Sequence, residues 1–469
     1  MWERLFQLRA NQTTVRTELI AGFTTYVTMA YILFLNPAIL SATGMDKNAV
    51  FFATAVGAAL VTIAMGLFVN FPVALAPGMG LNAYFAVVAA QHTGMMSWQV
   101  ALGAVFLSGI IFIILTVTRV RQILVEAVPD SLKHAITVGI GLFITIIGLK
   151  LSGLMSIQFV ANAGPSTAAI DQAAGGAPTA VTLQVSEWNI TLANLVHDKS
   201  ALLALIGLVL TAILVVMRVQ GALLLGILAT TLIGIPLGVT NIQAFFETPF
   251  LPDFSKLHVG DLDIVGALRM GLLEVIMVFT FVELFDTFGT LVGTADRAGL
   301  LQRPDGQKRL GRAMLVDAGG VSLGALLGTS TITAYIESAS GIAAGGRTGL
   351  TAVTTGLLFL ASLFLLAPFV AIIPNAATAC ALIIVGVLMM SAVKKIAFDK
   401  MVYAIPSFLT IVLMPFTYSI ANGISAGIVF YVLLAAAHNR VSREKVRIHW
   451  MMWILAALIL ARYVFLGSA

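Results

Sequence analysis

The sequence predicts an all-α polytopic membrane protein, and three observations carry that prediction. Of its 469 residues, 59% are hydrophobic and only 10% are charged, with a mean hydropathy of +1.01. A soluble chain of that length needs far more charge to cover its surface. Apolar windows of about 17–25 residues, enough to cross a hydrocarbon core of about 30 Å, recur from end to end. Lysine and arginine, finally, gather in alternate loops, as orientation in a bilayer requires.

Fourteen segments read as spans, near 18–40, 48–70, 78–91, 97–118, 132–152, 200–217, 221–240, 264–294, 309–328, 332–345, 348–371, 374–392, 402–418 and 421–438. With a cytoplasmic N-terminus, 20 of the 26 Lys and Arg fall inside, among them Arg119, Arg121 and the cluster in residues 439–447. The net charge of +5 therefore sits in short loops and points to no nucleic-acid partner. One cysteine, Cys380, lies in an apolar run, so neither a disulfide framework nor a metal-ligand set is expected. Residues 1–18 lack the pattern of a cleaved signal and read as an amphipathic surface segment. Loop 153–199 is external and polar, compatible with an ordered lid or a mobile loop. The apolar tail after residue 448 is expected to lie at the interface or re-enter it, because a fifteenth crossing breaks the symmetry that follows.

That symmetry is an internal repeat. Leu81-Asn82-Ala83-Tyr84 lines up with Ile332-Thr333-Ala334-Tyr335, and Pro129 and Gly141 line up with Pro374 and Gly386. Two anchors in the same order suggest a duplicated unit. A unit of seven spans is odd, so the second copy enters the membrane upside down, giving a 7+7 inverted repeat of the kind found in secondary transporters. The short spans 78–91 and 332–345 occupy corresponding positions, the best sequence pointer to a midplane binding site. Pro72 and Pro77 favour extended chain into a half-helix at Gly78, and the β-prone run Thr329–Thr333 mirrors it. Short strands before two half-helices leave backbone groups free, which is tolerable only where they line a cavity.

Few acids lie deep in spans. Glu283, Asp286 and Glu337 stand out, whereas Glu274, Asp317 and Glu126 read as nearer span ends. Glu283 and Asp286 share a helix face at i, i+3. An ionisable group at that depth is costly and usually functional, but an acid bonded to threonines or backbone at a helix break is the plain alternative. Asn82 can donate and accept or merely cap; Asn36, before Pro37, reads as a helix breaker. Phe85 and Phe281 can stack a planar ring or simply pack. The glycines of PGMGLN and AAGGRTG lack the Gly-Lys-Ser/Thr ending of a phosphate loop. No Lys or Arg is expected at the depth of the acids, which argues against an anionic substrate. An anion transporter of the same architecture and a cation channel are the rivals; no nucleophile–base pair or metal spacing suggests an enzyme.

The stretches APGMGLNAYF, FVELFDTFGTLVG and TSTITAYIESASGIAAGGRTGLTAV resemble the signatures of the nucleobase:cation symporter-2 family, most of all its azaguanine-type branch of guanine, hypoxanthine and adenine permeases. The resemblance runs from about Phe6 to His438. It implies core parts 18–118 and 264–371 (spans 1–4 and 8–11) and gate parts 132–240 and 374–438 (spans 5–7 and 12–14), leaving 439–469 as a tail. It implies proton-coupled uptake of a purine base across the cytoplasmic membrane by an elevator-like movement of the core, with sodium the less favoured ion, no cofactor, and often a homodimer through the gate. Glu283 and Glu337 fall on the family's substrate-binding acids, with Asn82, Phe85, Phe281, Gly78 and Thr333 around the same site. Asp286 and Glu337 are the expected proton-coupling groups. Many members of the branch carry Asp at the position of Glu283, so this chain reaches one methylene further.

Overall fold

The computed structural model describes residues 2–91, 98–118, 120–162, 184–195, 197–249, 257–269, 273–300, 305–442 and 444–465. Among them, eight helices are long and apolar enough to cross a membrane, and shorter apolar helices accompany them. The chain is thus an all-α polytopic membrane protein.

The first predicted span is two helices, Val15–Met29 and Ile32–Leu40, with Pro37 inside the second. Pro37 has no N–H to give the carbonyl four residues back, which weakens the ladder there. Asp46 caps the next helix, Lys47–Ala64, by accepting from the N–H groups of Asn48 and Ala49. Further helices cover Trp98–Val117, Asp130–Leu151, Lys199–Val216, Ala222–Leu237, Leu273–Arg297, Gly306–Leu327, Gly349–Leu365, Asn375–Met390, Met401–Phe416 and Ile420–Val441.

Both short spans begin as strands. Strand β1 (Leu75–Pro77) leads into the helix Met79–Gln91, and strand β4 (Ile332–Ala334) leads toward the helix Ser338–Ala343. The two strands pair antiparallel, Leu75 opposite Ala334 and Pro77 opposite Ile332. Their register corrects the sequence alignment. Ala76 faces Thr333, so LNAY lies in the helix beyond its strand whereas ITAY contains the strand itself. Local residue similarity could not see a pairing made by backbone hydrogen bonds. The second anchor meets in space: Pro129 and Pro374 precede the helices Asp130–Leu151 and Asn375–Met390, and a Cβ on Gly141 would lie 2.9 Å from the Gly386 carbonyl oxygen. The matched glycines mark the point where these helices cross backbone to backbone.

Glu18 ties the first helix to a distant one. Its carboxylate accepts from the N–H groups of Arg347 (2.9 Å), Thr348 (3.3 Å) and Thr351 (3.2 Å) and from the Thr351 hydroxyl (2.6 Å). A negative charge on the orphan N–H groups at the start of Gly349–Leu365 is stabilising. Glu18→Ala should therefore lower the melting temperature of the solubilised protein by several degrees, from a loss of about 3 kcal/mol, with uptake per folded molecule retained. A melting curve matching wild type would contradict this.

Loop 153–199, compatible from its sequence with an ordered lid or a mobile loop, contains among its described residues an antiparallel pair, β2 (Met155–Asn162) with β3 (Gln184–Leu192), irregular at Val160/Ala161. The tail forms a helix, Trp450–Phe465, packed on Ile420–Val441. Asn439 bonds Val446 at one end, and the Tyr463 hydroxyl donates to Asn422 Oδ1 (2.8 Å) at the other. The tail thus runs back along the depth of that helix rather than lying flat across its end, because doing so buries Met452, Leu455, Ala456 and Ile459.

Candidate functional site

The site is built where the two strands meet the helix Leu273–Arg297, which packs against both β4 and Ser338–Ala343. Extended chain at this depth survives because its backbone groups find partners. Gly78 N–H donates to the Thr331 carbonyl (2.9 Å) and Tyr335 N–H to the Ala74 carbonyl (3.0 Å). Thr62 closes both sides of Leu75, its hydroxyl donating to the Leu75 carbonyl and accepting from its N–H, each at 2.9 Å. Ser338 accepts from Ala74 N–H at 3.0 Å. Gly78 is required by close approach: a Cβ there would lie 2.8 Å from Thr333 Cγ2.

Glu283 is buried, 1% exposed, and its Oε1 accepts from the Thr287 hydroxyl at 3.0 Å. The Thr287 and Thr333 hydroxyls lie 2.7 Å apart. Thr333 in turn donates to Asp317 Oδ1 at 3.4 Å, and the same oxygen accepts Ala334 N–H at 3.1 Å. Glu337 stands at the start of Ser338–Ala343, half-buried, and accepts from the Tyr31 hydroxyl at 2.8 Å. One acid is therefore sunk in the protein while the other stands at a more open edge, next to Ile336, which is 64% exposed.

Asn82 lies on the first half-helix, fully buried, in a polar knot. Its amide donates to Asn36 Oδ1 (2.6 Å) and its carbonyl accepts from the Ser330 hydroxyl. Asn36 donates to both Thr54 (2.7 Å) and Thr329 (2.8 Å). Asn82 thereby fastens one half-helix to the loop that precedes the other. Phe85 is buried, and nearby Tyr84 meets Phe279 edge to face at 5.2 Å between centroids. The side chains of Phe281 and Asp286 lie outside the described residues.

Sequence reasoning missed three members of this arrangement. Asp317, read as near a span end, is buried on Gly306–Leu327 and holds β4; its signal was an acid inside an otherwise apolar run. Tyr31 gave no signal beyond being aromatic. Arg121, read as a loop residue, is 1% exposed, its guanidinium 4.3 Å from the Phe112 ring centroid. Burial lowers its pKa from the ordinary value, and the charges of Asp317 and then Glu283 oppose that. A buried cation on the helix Val120–Ala127, between two predicted spans, thus acts on the buried acids.

Two strand-to-helix breaks thus meet at a buried acid cluster inside a polytopic membrane bundle, and the chain is similar to membrane permeases. A family model described as "Permease family" matches residues 16–206 and 167–426. Over 469 residues the chain is 44% identical to a putative permease of Methanocaldococcus jannaschii, covering 99% of each. It is 42% identical to the adenine permease AdeP of Escherichia coli, over 94% of this chain and 92% of that one. With the guanine/hypoxanthine permease PbuG of Bacillus subtilis it shares 40% identity, covering 98% and 99%. The chain belongs to the nucleobase:cation symporter-2 permease family, in the branch that holds the guanine, hypoxanthine and adenine permeases. Members of this family are transporters, not enzymes. Among solved structures, the fold is similar to the transmembrane domain of a cyanobacterial bicarbonate transporter, BicA (TM-score 0.58, 17% identity, covering 88% of this chain and 97% of that one). It is also similar to SLC26A9 (TM-score 0.64, 12% identity, covering 94% and 68%).

Proposed function

We propose that this protein imports a purine nucleobase across the cytoplasmic membrane together with a proton. The observation that carries the reading is the cluster in which Glu283, Thr287 and Thr333 link a membrane-length helix to the paired strands of the two half-helices. A purine offers N–H donors and ring acceptors on a flat apolar body. Glu283 and Glu337 accept from its N–H groups, Phe85 and Phe281 bound the ring, and Gly78, Asn82 and Thr333 hold the frame around it. The commitments of Gly78 N–H and the Thr333 hydroxyl within the protein support a framing role for both. Its resemblance to adenine and guanine/hypoxanthine permeases supports the substrate class.

The finer architecture in this reading is fourteen spans in a 7+7 inverted repeat. Core parts 18–118 and 264–371 move against gate parts 132–240 and 374–438, and a homodimer forms through the gate. The antiparallel strand pair and the crossing of Gly141 with Gly386 support an inverted duplication. The N-terminus and residues 439–447 face the cytoplasm. Glu337 and Asp286 are the proposed proton-coupling groups. An anionic substrate is disfavoured, because among the described residues Arg121 is the one buried guanidinium acting on the two buried carboxyls Glu283 and Asp317, so the cluster carries no net positive charge.

Competition of unlabelled adenine, guanine, hypoxanthine, xanthine and uracil against one labelled purine tests the assignment. Purines should displace the label and bicarbonate should not; displacement by bicarbonate alone would replace the purine reading with an anion one.

A further inference from the structure

A chain of hydroxyls joins two buried carboxylates, and its hydrogens can be counted. Glu283 Oε1 to Thr287 Oγ1 is 3.0 Å, Thr287 Oγ1 to Thr333 Oγ1 is 2.7 Å, and Thr333 Oγ1 to Asp317 Oδ1 is 3.4 Å. Three oxygen–oxygen contacts need three hydrogens, and two threonine hydroxyls supply two. The third comes from a carboxyl, so the chain is complete with one proton on Asp317, when Thr287 donates to Glu283, or with one on Glu283, when that bond reverses and Glu283 donates to Thr287. Stepwise transfer carries that proton from one end to the other: Glu283 gives its hydrogen to Thr287, Thr287 gives its own to Thr333 and Thr333 gives its own to Asp317, so three O–H bonds break, three form and no heavy-atom bond changes.

Arg121 breaks the equality of the two ends. It lies on the helix Val120–Ala127, which packs against Trp98–Val117, Leu273–Arg297 and the tail helix. Its Nη1 reaches the Met314 carbonyl at 3.5 Å. A helical carbonyl points toward the C-terminal end of its helix, which here is the turn that carries Asp317. Among the described residues, Arg121 Nε and Nη2 and Asp317 Oδ2 are buried without hydrogen-bond partners.

The charges around Arg121 are few. Asp317 and then Glu283 act on it. Trp98–Val117 contributes Phe112 and no charged residue, and the tail helix carries none but Arg462. Gly306–Leu327 adds Lys308, Arg309 and Arg312 near its start, and Leu273–Arg297 adds Asp296 and Arg297 at its end. Glu274 and Asp286, on the latter helix, have side chains outside the described residues, and Glu126 on the helix of Arg121 is exposed.

We propose that Arg121 is a positioning residue that keeps Asp317 the ionised end of this chain and so holds the shared proton on Glu283, the substrate end. The inference rests on the proton-coupled reading above. A cation held one helical turn from a carboxylate, at the Met314 carbonyl, favours the charged form of that carboxylate, and a guanidinium stays charged where an ammonium would yield its proton.

The test is labelled-purine uptake into proteoliposomes as a function of pH for wild type, Arg121→Gln and Arg121→Lys, each checked for a monodisperse protein. Loss of the cation raises the proton affinity of the carboxyls, so Arg121→Gln should move the midpoint of the pH dependence upward by about one unit or more, with Arg121→Lys nearer to wild type. A monodisperse Arg121→Gln protein with the wild-type midpoint overturns the proposal. Infrared spectra at pH 7 give a second reading that does not need Arg121→Gln to fold. A protonated-carboxyl band lost in Glu283→Gln and kept in Asp317→Asn supports the proposal; the reverse pattern overturns it. Wild-type uptake with no pH dependence would instead sink proton coupling itself, and the infrared comparison would still decide where the proton sits.

Discussion

Glu283→Gln should lower purine uptake by about tenfold to a hundredfold while leaving the protein in the membrane at wild-type abundance. The substitution is isosteric, and the glutamine oxygen can still accept from Thr287, so the helix Leu273–Arg297 keeps its local bonding. What is lost is a carboxylate that accepts a substrate N–H and takes up a proton. A hydrogen bond to a charged group contributes about 1.5–3 kcal/mol, and about 1.4 kcal/mol is a factor of ten. Initial rates normalised to membrane abundance measure the effect. Wild-type rates with unchanged pH dependence would remove Glu283 from the site.

Asp317→Ala is expected to reduce uptake by at least about tenfold, through the frame rather than through contact with the substrate. Asp317 Oδ1 is the acceptor for Ala334 N–H at the end of β4 and for the Thr333 hydroxyl. Alanine leaves a buried backbone donor without its partner, at a cost of about 1–3 kcal/mol, in the strand that sets the position of Glu337. Asp317→Asn separates frame from charge. It keeps an acceptor for Ala334 N–H and removes the ionisable group, so its melting temperature should stay near wild type while its pH dependence changes. If Asp317→Ala transported normally, β4 would not need this anchor.

The sequence made the membrane class, the positions of the helices and the two broken spans readable, because each rests on local composition. Thr329–Thr333 is β-prone and Pro72 and Pro77 stiffen the chain before Gly78, so strands beside half-helices could be expected from residues alone. Their register could not, since it depends on which backbone groups meet across the fold. Glu283 was visible because an acid between Val282 and Leu284 in an apolar run is conspicuous. Asp317 was not given its depth, because distance along a helix from an uncertain start says little about what packs over it. Arg121 was invisible for a related reason. A basic residue after a span is the ordinary sign of a cytoplasmic loop, and only the folding of Val120–Ala127 against its neighbours turns it inward. The packing of the tail was not legible either, because the apolar surface that Trp450–Phe465 buries depends on how the chain folds back along Ile420–Val441.

In the proposed mechanism, binding of a purine base and binding of a proton are linked at one buried acid cluster. The direct measurement is uptake of a labelled purine into proteoliposomes holding the purified protein, with a proton gradient imposed across the vesicle membrane and no sodium present. Accumulation above the external concentration that collapses with a protonophore, and is lost in Glu283→Gln, is the predicted result. Uptake that only equilibrates, ignores the gradient or requires sodium would contradict it.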